Sequence, residues 1–184
     1  MSVRAAVPGD AAALAEVHVR TWQAAYAGLI PQDYLDSLDP AQREPGWRRW
    51  LADLRPPTAI LAWESPDGVA GFVAIMPSRD PDAEPGETGE ITAIYLLPAY
   101  WGRGAGRELM AAALRRLTEA GFRQATLWVL GTNARARRFY EAAGWRPDGV
   151  AKTDDSWGFP LDEVRYRRDL EFAADGAEER DLLG

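Results

Sequence analysis

The sequence contains no cysteine and a single histidine, His18, among its 184 residues. That rules out disulfides, thiolate metal sites and a cysteine nucleophile, and one imidazole cannot build a multi-histidine metal centre. No stretch approaches the run of about 20 apolar residues that a membrane span needs. The opening Met1-Ser-Val-Arg-Ala-Ala-Val-Pro8 carries too short an apolar run for a secretory signal. Basic charge is scarce as well: 21 Lys and Arg face 28 Asp and Glu, a formal net charge of −7. A nucleic acid partner wants a basic face, so none is expected, and no membrane is expected either. The negative balance permits a cationic small molecule, although net charge speaks chiefly to solubility and encounter rate. The expected compartment is cytoplasmic by default, and the expected metal content is none.

The residues that are present suit one domain with a sizeable core, being 47% hydrophobic and 27% charged. A short strand over Val3 to Ala6 ends at Pro8-Gly9. Asp10 stands as N-cap to an Ala-rich helix whose Leu14, Val17, Thr21, Trp22 and Ala25 recur at helical spacing. Gln32 to Leu38 gives a second helix and Asp39-Pro40 starts a third, which is expected to break at Pro45-Gly46 and resume. After Pro56-Pro57 the period shortens to two. Thr58 to Trp63 and Val69 to Met76 flank the turn Ser65-Pro66-Asp67-Gly68, as in an antiparallel hairpin. Residues 77–89 read as a loop, Glu90 to Leu96 as a strand and Gly104 to Ala120 as a helix closed by Gly121. Strands at Gln124 to Leu130, Trp145 to Val150 and Val164 to Leu170 follow, with a helix over Asn133 to Ala143. The fold class is therefore α/β: a mixed sheet of about seven strands with flanking helices, antiparallel first and parallel in the middle. The domain is expected over residues 1–172, with an acidic, flexible tail at 173–184.

The most informative block runs from Glu90 to Leu109. A strand leads into Trp101-Gly-Arg-Gly-Ala-Gly106, and that turn opens a helix. Glycines let backbone approach an anion, and the first helical N–H groups point at it unpaired. Such a site takes phosphate, with Arg103 and Arg107 adding charge. The same three glycines also suit a tight structural turn. Neither a Walker A loop nor a dinucleotide Gly-x-Gly-x-x-Gly fits, because Arg107-Glu108 follows Gly106 and the glycine spacing differs.

The block resembles the acetyl-CoA-binding motif of the GNAT superfamily of N-acetyltransferases, Gln/Arg-x-x-Gly-x-Gly/Ala, with Trp101 standing in the first position. The similarity continues through Asn133-Ala-Arg-Ala-Arg-Arg-Phe-Tyr-Glu-Ala-Ala-Gly-Trp145, which matches the family's Asn…Phe-Tyr-x-x-x-Gly-Phe signature, and covers roughly residues 2–170. The resemblance implies a GNAT-like fold and acetyl-CoA as co-substrate. It implies that backbone groups of Ile94 and Leu96 bond the pantetheine arm, and that the amides of Arg103, Gly104, Ala105, Gly106 and Arg107 hold the pyrophosphate. Asn133 would contact the cofactor or a bound water, and Tyr140 would protonate the departing thiolate. Direct attack in a ternary complex needs no nucleophile on the enzyme, and a backbone N–H near Ile94 would hold the oxyanion.

The attacking amine must first lose a proton. With a pKa of about 10.4 it is neutral about once in 10³ molecules at pH 7, a deficit of roughly 4–5 kcal/mol that a carboxylate relieves. Glu90 is the candidate base; its alternative is simply to end the acidic loop that holds Glu84 and Glu87. The acceptor pocket is expected from the first helices and last strands, with Trp22, Tyr26 and Tyr34 as candidate substrate contacts. Thr21 to Pro31 loosely resembles a GNAT subgroup that includes polyamine acetyltransferases. The acceptor is a small-molecule or protein amine, and the superfamily admits a homodimer. Two other readings stay open: a transferase using a longer acyl-CoA, and a non-catalytic CoA-binding sensor.

Overall fold

Residues 2–171 are described by the structure, a computed structural model. The tail expected at 173–184 lies outside them. In chain order the elements are β1 (Ser2–Ala5), α1 (Ala11–Ala25), α2 (Gln32–Ser37), α3 (Pro40–Ala52), β2 (Ala59–Ser65), β3 (Gly68–Pro77) and β4 (Thr88–Leu96). Then come α4 (Ala105–Glu119), β5 (Gln124–Leu130), α5 (Ala134–Ala142), β6 (Arg146–Asp154) and β7 (Leu161–Asp169). The strands form one sheet in the order β1-β2-β3-β4-β5-β7-β6.

Alternation along β3 sets up the layers. Phe72 and Ala74 point to the face covered by α1 and α3, where they meet Leu14, Val17, Trp47 and Leu51. Val73 and Ile75 point to the opposite face, against Leu109, Ala113 and Leu117 of α4. The sheet is thus buried on both sides, which β3 shows as an almost unbroken buried run. On the α4 side Gly89 leaves no room for a side chain, since a Cβ there would lie 2.5 Å from a Leu117 methyl. A third cluster gathers Trp22, Leu35, Leu130 and Leu161 where the start of β7 meets α1 and α2.

Three local expectations change. Asp10 precedes α1 but makes no side-chain cap to it. Its carboxylate instead accepts from the Val7 amide at 2.8 Å and from the Arg4 guanidinium at 2.7 Å, because a charged partner outcompetes a helix amide. Helix α3 runs unbroken through Pro45. The carbonyl that Pro45 leaves without its helical donor belongs to Ala41, an exposed residue, while buried Trp47 and Leu51 hold the helix in register. Finally, only one parallel crossover forms, β4-α4-β5. After α5 the chain makes an edge strand, β6, and β7 returns between β6 and β5, antiparallel to both. β7 takes the inner place because it carries the buried residues, Leu161, Arg165 and Tyr166, whereas β6 is exposed along most of its length.

Candidate active site

β4 and β5 pair only from Thr88 with Gln124 to Ile91 with Leu127. Beyond that register they part, and the stretch Thr92 to Leu96 has no strand partner on its β5 side. A bulge at Thr92, where pairing with β3 steps between Ala74 and Ile75, strengthens the local twist at the parting. A cavity of about 340 Å³ opens there, walled by β4 from Ile91 to Leu96, by the turn before α4 and by Asn133, Arg135 and Tyr140. An unpaired strand edge inside a cavity suits an extended ligand that carries amides of its own.

The turn at one end of the cavity is shaped by backbone that only glycine adopts readily: Gly102 and Gly104 hold φ of +72° and +94°. The hydrogen-bond ladder of α4 begins with the Arg107 and Glu108 amides, which donate to the Gly104 carbonyl at 2.9 and 3.1 Å. The amides just ahead of them are the unsatisfied donors of a helix N-terminus, and the helix dipole adds to their pull on an anion. Of the expected pyrophosphate contacts, Gly104, Gly106 and Arg107 line the cavity. The Arg107 amide is taken by the helix, Arg103 has an exposed side chain, and the Ala105 methyl is buried in the core. Gly106 also permits α4 to approach α5, since a Cβ there would lie 3.3 Å from Phe139.

Ile94 and Leu96 both line the cavity. The Leu96 carbonyl, however, already accepts from Thr21 Oγ1 at 3.1 Å and from Trp101 Nε1 at 2.6 Å, which fills both lone pairs. Trp101 therefore fastens the turn to the end of β4. The Arg135 guanidinium lies 3.4 Å over its ring and brings a cation to the cavity wall. Burial draws the pKa of Arg135 down, yet it stays charged. Sequence reasoning gave Arg135 no role, because its contact with Trp101 joins two motifs that lie apart in the chain. Asn133 is buried, lines the cavity and caps α5, its Oδ1 accepting from the Ala136 amide at 3.1 Å. Tyr140 lines the cavity from α5; burial raises its phenol pKa well above the ordinary value, with Tyr95 adding to the shift, so it is protonated at neutral pH.

A second cavity of about 240 Å³ adjoins the first, and Tyr26, Ile91, Thr92, Tyr95 and Trp128 are walls of both. Its far wall carries Glu90, Asp154 and Glu163 with the cations Arg79 and Lys152. Glu90 is 5% exposed; one oxygen lies 3.6 Å from the Arg79 guanidinium and the other accepts from the Arg79 amide at 3.4 Å. Lys152 sits 3.5 Å from Glu163 and 4.0 Å over the Trp128 ring. Burial raises the Glu163 carboxyl above the ordinary carboxylate range, against the lowering effect of Lys152. Trp22 and Tyr26 line this cavity as expected, whereas Tyr34 lines neither cavity and packs 5.0 Å from Phe159. His18 packs against Trp22, Trp47 and Tyr95, and burial and Arg43 push its pKa down to about 4, so it is neutral at pH 7.

The loop after β3 is pinned by Arg165, whose side chain is 3% exposed and which binds Asp80 at 3.2 Å, Asp82 at 2.6 Å and Asp148 at 2.7 Å. Asp80 in turn accepts from Trp128 Nε1 at 3.0 Å. One buried guanidinium thereby fixes both the loop that carries Arg79 and the tryptophan that separates the cavities.

The site thus consists of two adjoining cavities, one beside the glycine turn and helix N-terminus of α4 and one walled by carboxylates and aromatics. Residues 19–145 match the model of the Acetyltransferase (GNAT) family. The uncharacterised N-acetyltransferase YuaI of Bacillus subtilis is 35% identical over 166 residues, 89% of this chain and 90% of that protein. Among solved structures, the PaiA N-acetyltransferase of Thermoplasma acidophilum in complex with coenzyme A superposes with a TM-score of 0.70. It is 19% identical and covers 91% of this chain and 98% of that one. YncA of Salmonella typhimurium, solved with its cofactor acetyl-CoA, gives 0.67 at 23% identity, covering 96% and 98%. The chain belongs to the GNAT family and is an N-acetyltransferase with that family's mixed seven-stranded fold. No described helix is long and apolar enough to cross a membrane.

Proposed function

We propose that this protein moves the acetyl group of acetyl-CoA to a primary amine by direct attack in a ternary complex. The observation that carries the reading is the pair of cavities meeting at Tyr26, Tyr95 and Trp128, one suited to the donor and one to the acceptor. The donor cavity fits acetyl-CoA chemically: unsatisfied amides and Arg107 and Arg135 for the phosphates, and an unpaired strand edge around Ile94 for the pantetheine arm. Asn133 stands beside that arm as a polar contact. The second cavity holds a small molecule or the end of one amine-bearing chain. Its carboxylates, Glu90 among them, favour a cationic group, and Trp22 and Tyr26 offer aromatic contacts to its carbon skeleton.

In this reading the amine gives up a proton to the carboxylate wall and attacks the thioester carbonyl. The C–N bond forms, the C–S bond breaks, and the Tyr140 phenol supplies the proton that the sulfur takes. A phenol raised by burial stays protonated through neutral pH, which suits a donor. Thiol release from acetyl-CoA, followed with a panel of primary amines, tests the reading. Amine-dependent release is expected. Tight CoA binding with no release on any amine would refute it and leave a CoA-binding sensor.

A further inference from the structure

Glu90 and Glu163 face the same cavity from strands on either side of β5, and their surroundings differ. Both oxygens of Glu90 are engaged by Arg79, one by its guanidinium and one by its amide. Neither oxygen of Glu90 is thus left without a partner. Glu163 has one cationic partner, Lys152, whose ammonium is shared with the face of Trp128. Glu163 also shares its cavity with Tyr26 and Tyr95, and both tyrosines line the donor cavity beside Tyr140. Glu90 lines the same cavity, and the difference between the two is that, among the described residues, no hydrogen bond engages the oxygens of Glu163 beyond its ion pair with Lys152, while Glu90 accepts one from the Arg79 amide.

We propose that Glu163 is the carboxylate that takes the proton from the acceptor ammonium, with Glu90 supplying fixed negative charge on the cavity wall; this rests on the acetyl-transfer reading above. One proton passes from the ammonium to Glu163, either directly or through one water. The neutral nitrogen then attacks, and its second proton balances the one that Tyr140 gives to sulfur. Glu163 releases its proton to solvent, so each turnover yields one amide, one thiol and one proton. The groups that face Glu163 are Lys152 and Asp154 from β6, Glu90 and Tyr95 from β4, Tyr26 from the end of α1 and Arg79 from the β3–β4 loop. The burial that raises its carboxyl makes it a stronger base than a solvated glutamate.

The test uses the full chain, acetyl-CoA and three acceptors: spermidine, L-lysine and an alanine-initiated peptide. For an acceptor that the wild type turns over, Glu163→Gln should lower kcat/KM about 10²-fold or more at pH 7. The deficit should shrink toward pH 10, where the amine loses its proton unaided, while CoA affinity stays within twofold. Lys152→Met keeps the carboxylate and removes its cation, so the acidic limb of the rate profile should move to higher pH. A role confined to folding moves neither limb. An unchanged acidic limb in both variants, or a Glu163→Gln deficit constant from pH 6 to 10, overturns the assignment and leaves acetyl transfer standing. A wild type that binds CoA and turns over none of the acceptors overturns both.

Discussion

Replacing Gly104 with alanine separates the backbone geometry of the anion site from its chemistry. Gly104 holds φ of +94°, and a Cβ built on it meets nothing within 4 Å. The substitution therefore introduces no clash, and its cost is the left-handed backbone itself, about 1–2 kcal/mol for an L residue. If the turn keeps its shape, the melting temperature falls by roughly 2–8 °C, taking about 2–4 °C per kcal/mol for a chain of this size. If the turn instead relaxes to negative φ, the strain disappears but the amides ahead of Arg107 swing away from their common focus. Hydrogen bonds to a charged group contribute about 1.5–3 kcal/mol each, so losing two of them weakens CoA binding by roughly 10²–10⁴-fold. Thermal melts and calorimetric titration with CoA, run on the same preparation, distinguish the two outcomes. One loss or the other must appear. Wild-type melting together with wild-type CoA affinity would refute both the strain at Gly104 and the role of the turn in holding the anion.

Gly46→Ala is the converse case. Gly46 is exposed inside α3 with no positive φ and open space around its Cβ, so the change should stabilise the chain by about 0.5–1 kcal/mol, read as a higher melting temperature. Arg165→Met strips Asp80 and Asp148 of a buried partner and should cost about 3–5 kcal/mol in denaturant unfolding, with a raised KM for the amine because Trp128 loses its anchor. Tyr140→Phe should leave stability unchanged and lower kcat with little change in KM for acetyl-CoA; undiminished turnover at every pH would count against the acid role. For His18 the sign is fixed by its depressed pKa. The unfolded chain binds the proton first, so stability present above pH 6.5 is lost as pH falls toward 4, by about 3 kcal/mol at most. Denaturant melts of His18→Gln across that range should show a shallower slope than the wild type.

Much of the fold is legible in local pattern. The hairpin at Ser65 to Gly68, the strand into the glycine turn and the Gly121 stop each depend on neighbours in sequence, and the structure has them where the pattern puts them. Pro45 misleads for a physical reason: a proline inside a helix is costly locally, and the packing of Trp47 and Leu51 that carries α3 through it comes from residues distant in sequence. The strand order beyond α5 is similarly hidden, since the choice between β6 and β7 as neighbour of β5 depends on which of them carries buried side chains. In the site, Trp101 reads as a departure from a motif, yet its indole N–H ties the turn to β4 and its ring carries Arg135. Such a role requires knowing that α5 crosses the turn. Glu163 belongs to no motif at all. It reaches the cavity through the pairing of β7 with β5 and β6, and that placement is a property of the whole chain.

The parting of β4 from β5 has a thermodynamic consequence. An open strand edge is ordinarily a liability, a template on which a second chain can extend a sheet. Here the free edge from Thr92 to Leu96 lies inside a cavity, so the partner it can recruit is limited to something as slender as a pantetheine chain. In the proposed reaction the donor would serve as the missing strand of the sheet as well as the source of the acetyl group. Its binding should consequently be felt as folding stability, about 2.7 kcal/mol when CoA stands at a hundred times its dissociation constant. The protein is then sturdiest when charged with donor, and a fall in the CoA pool would leave it slack as well as idle.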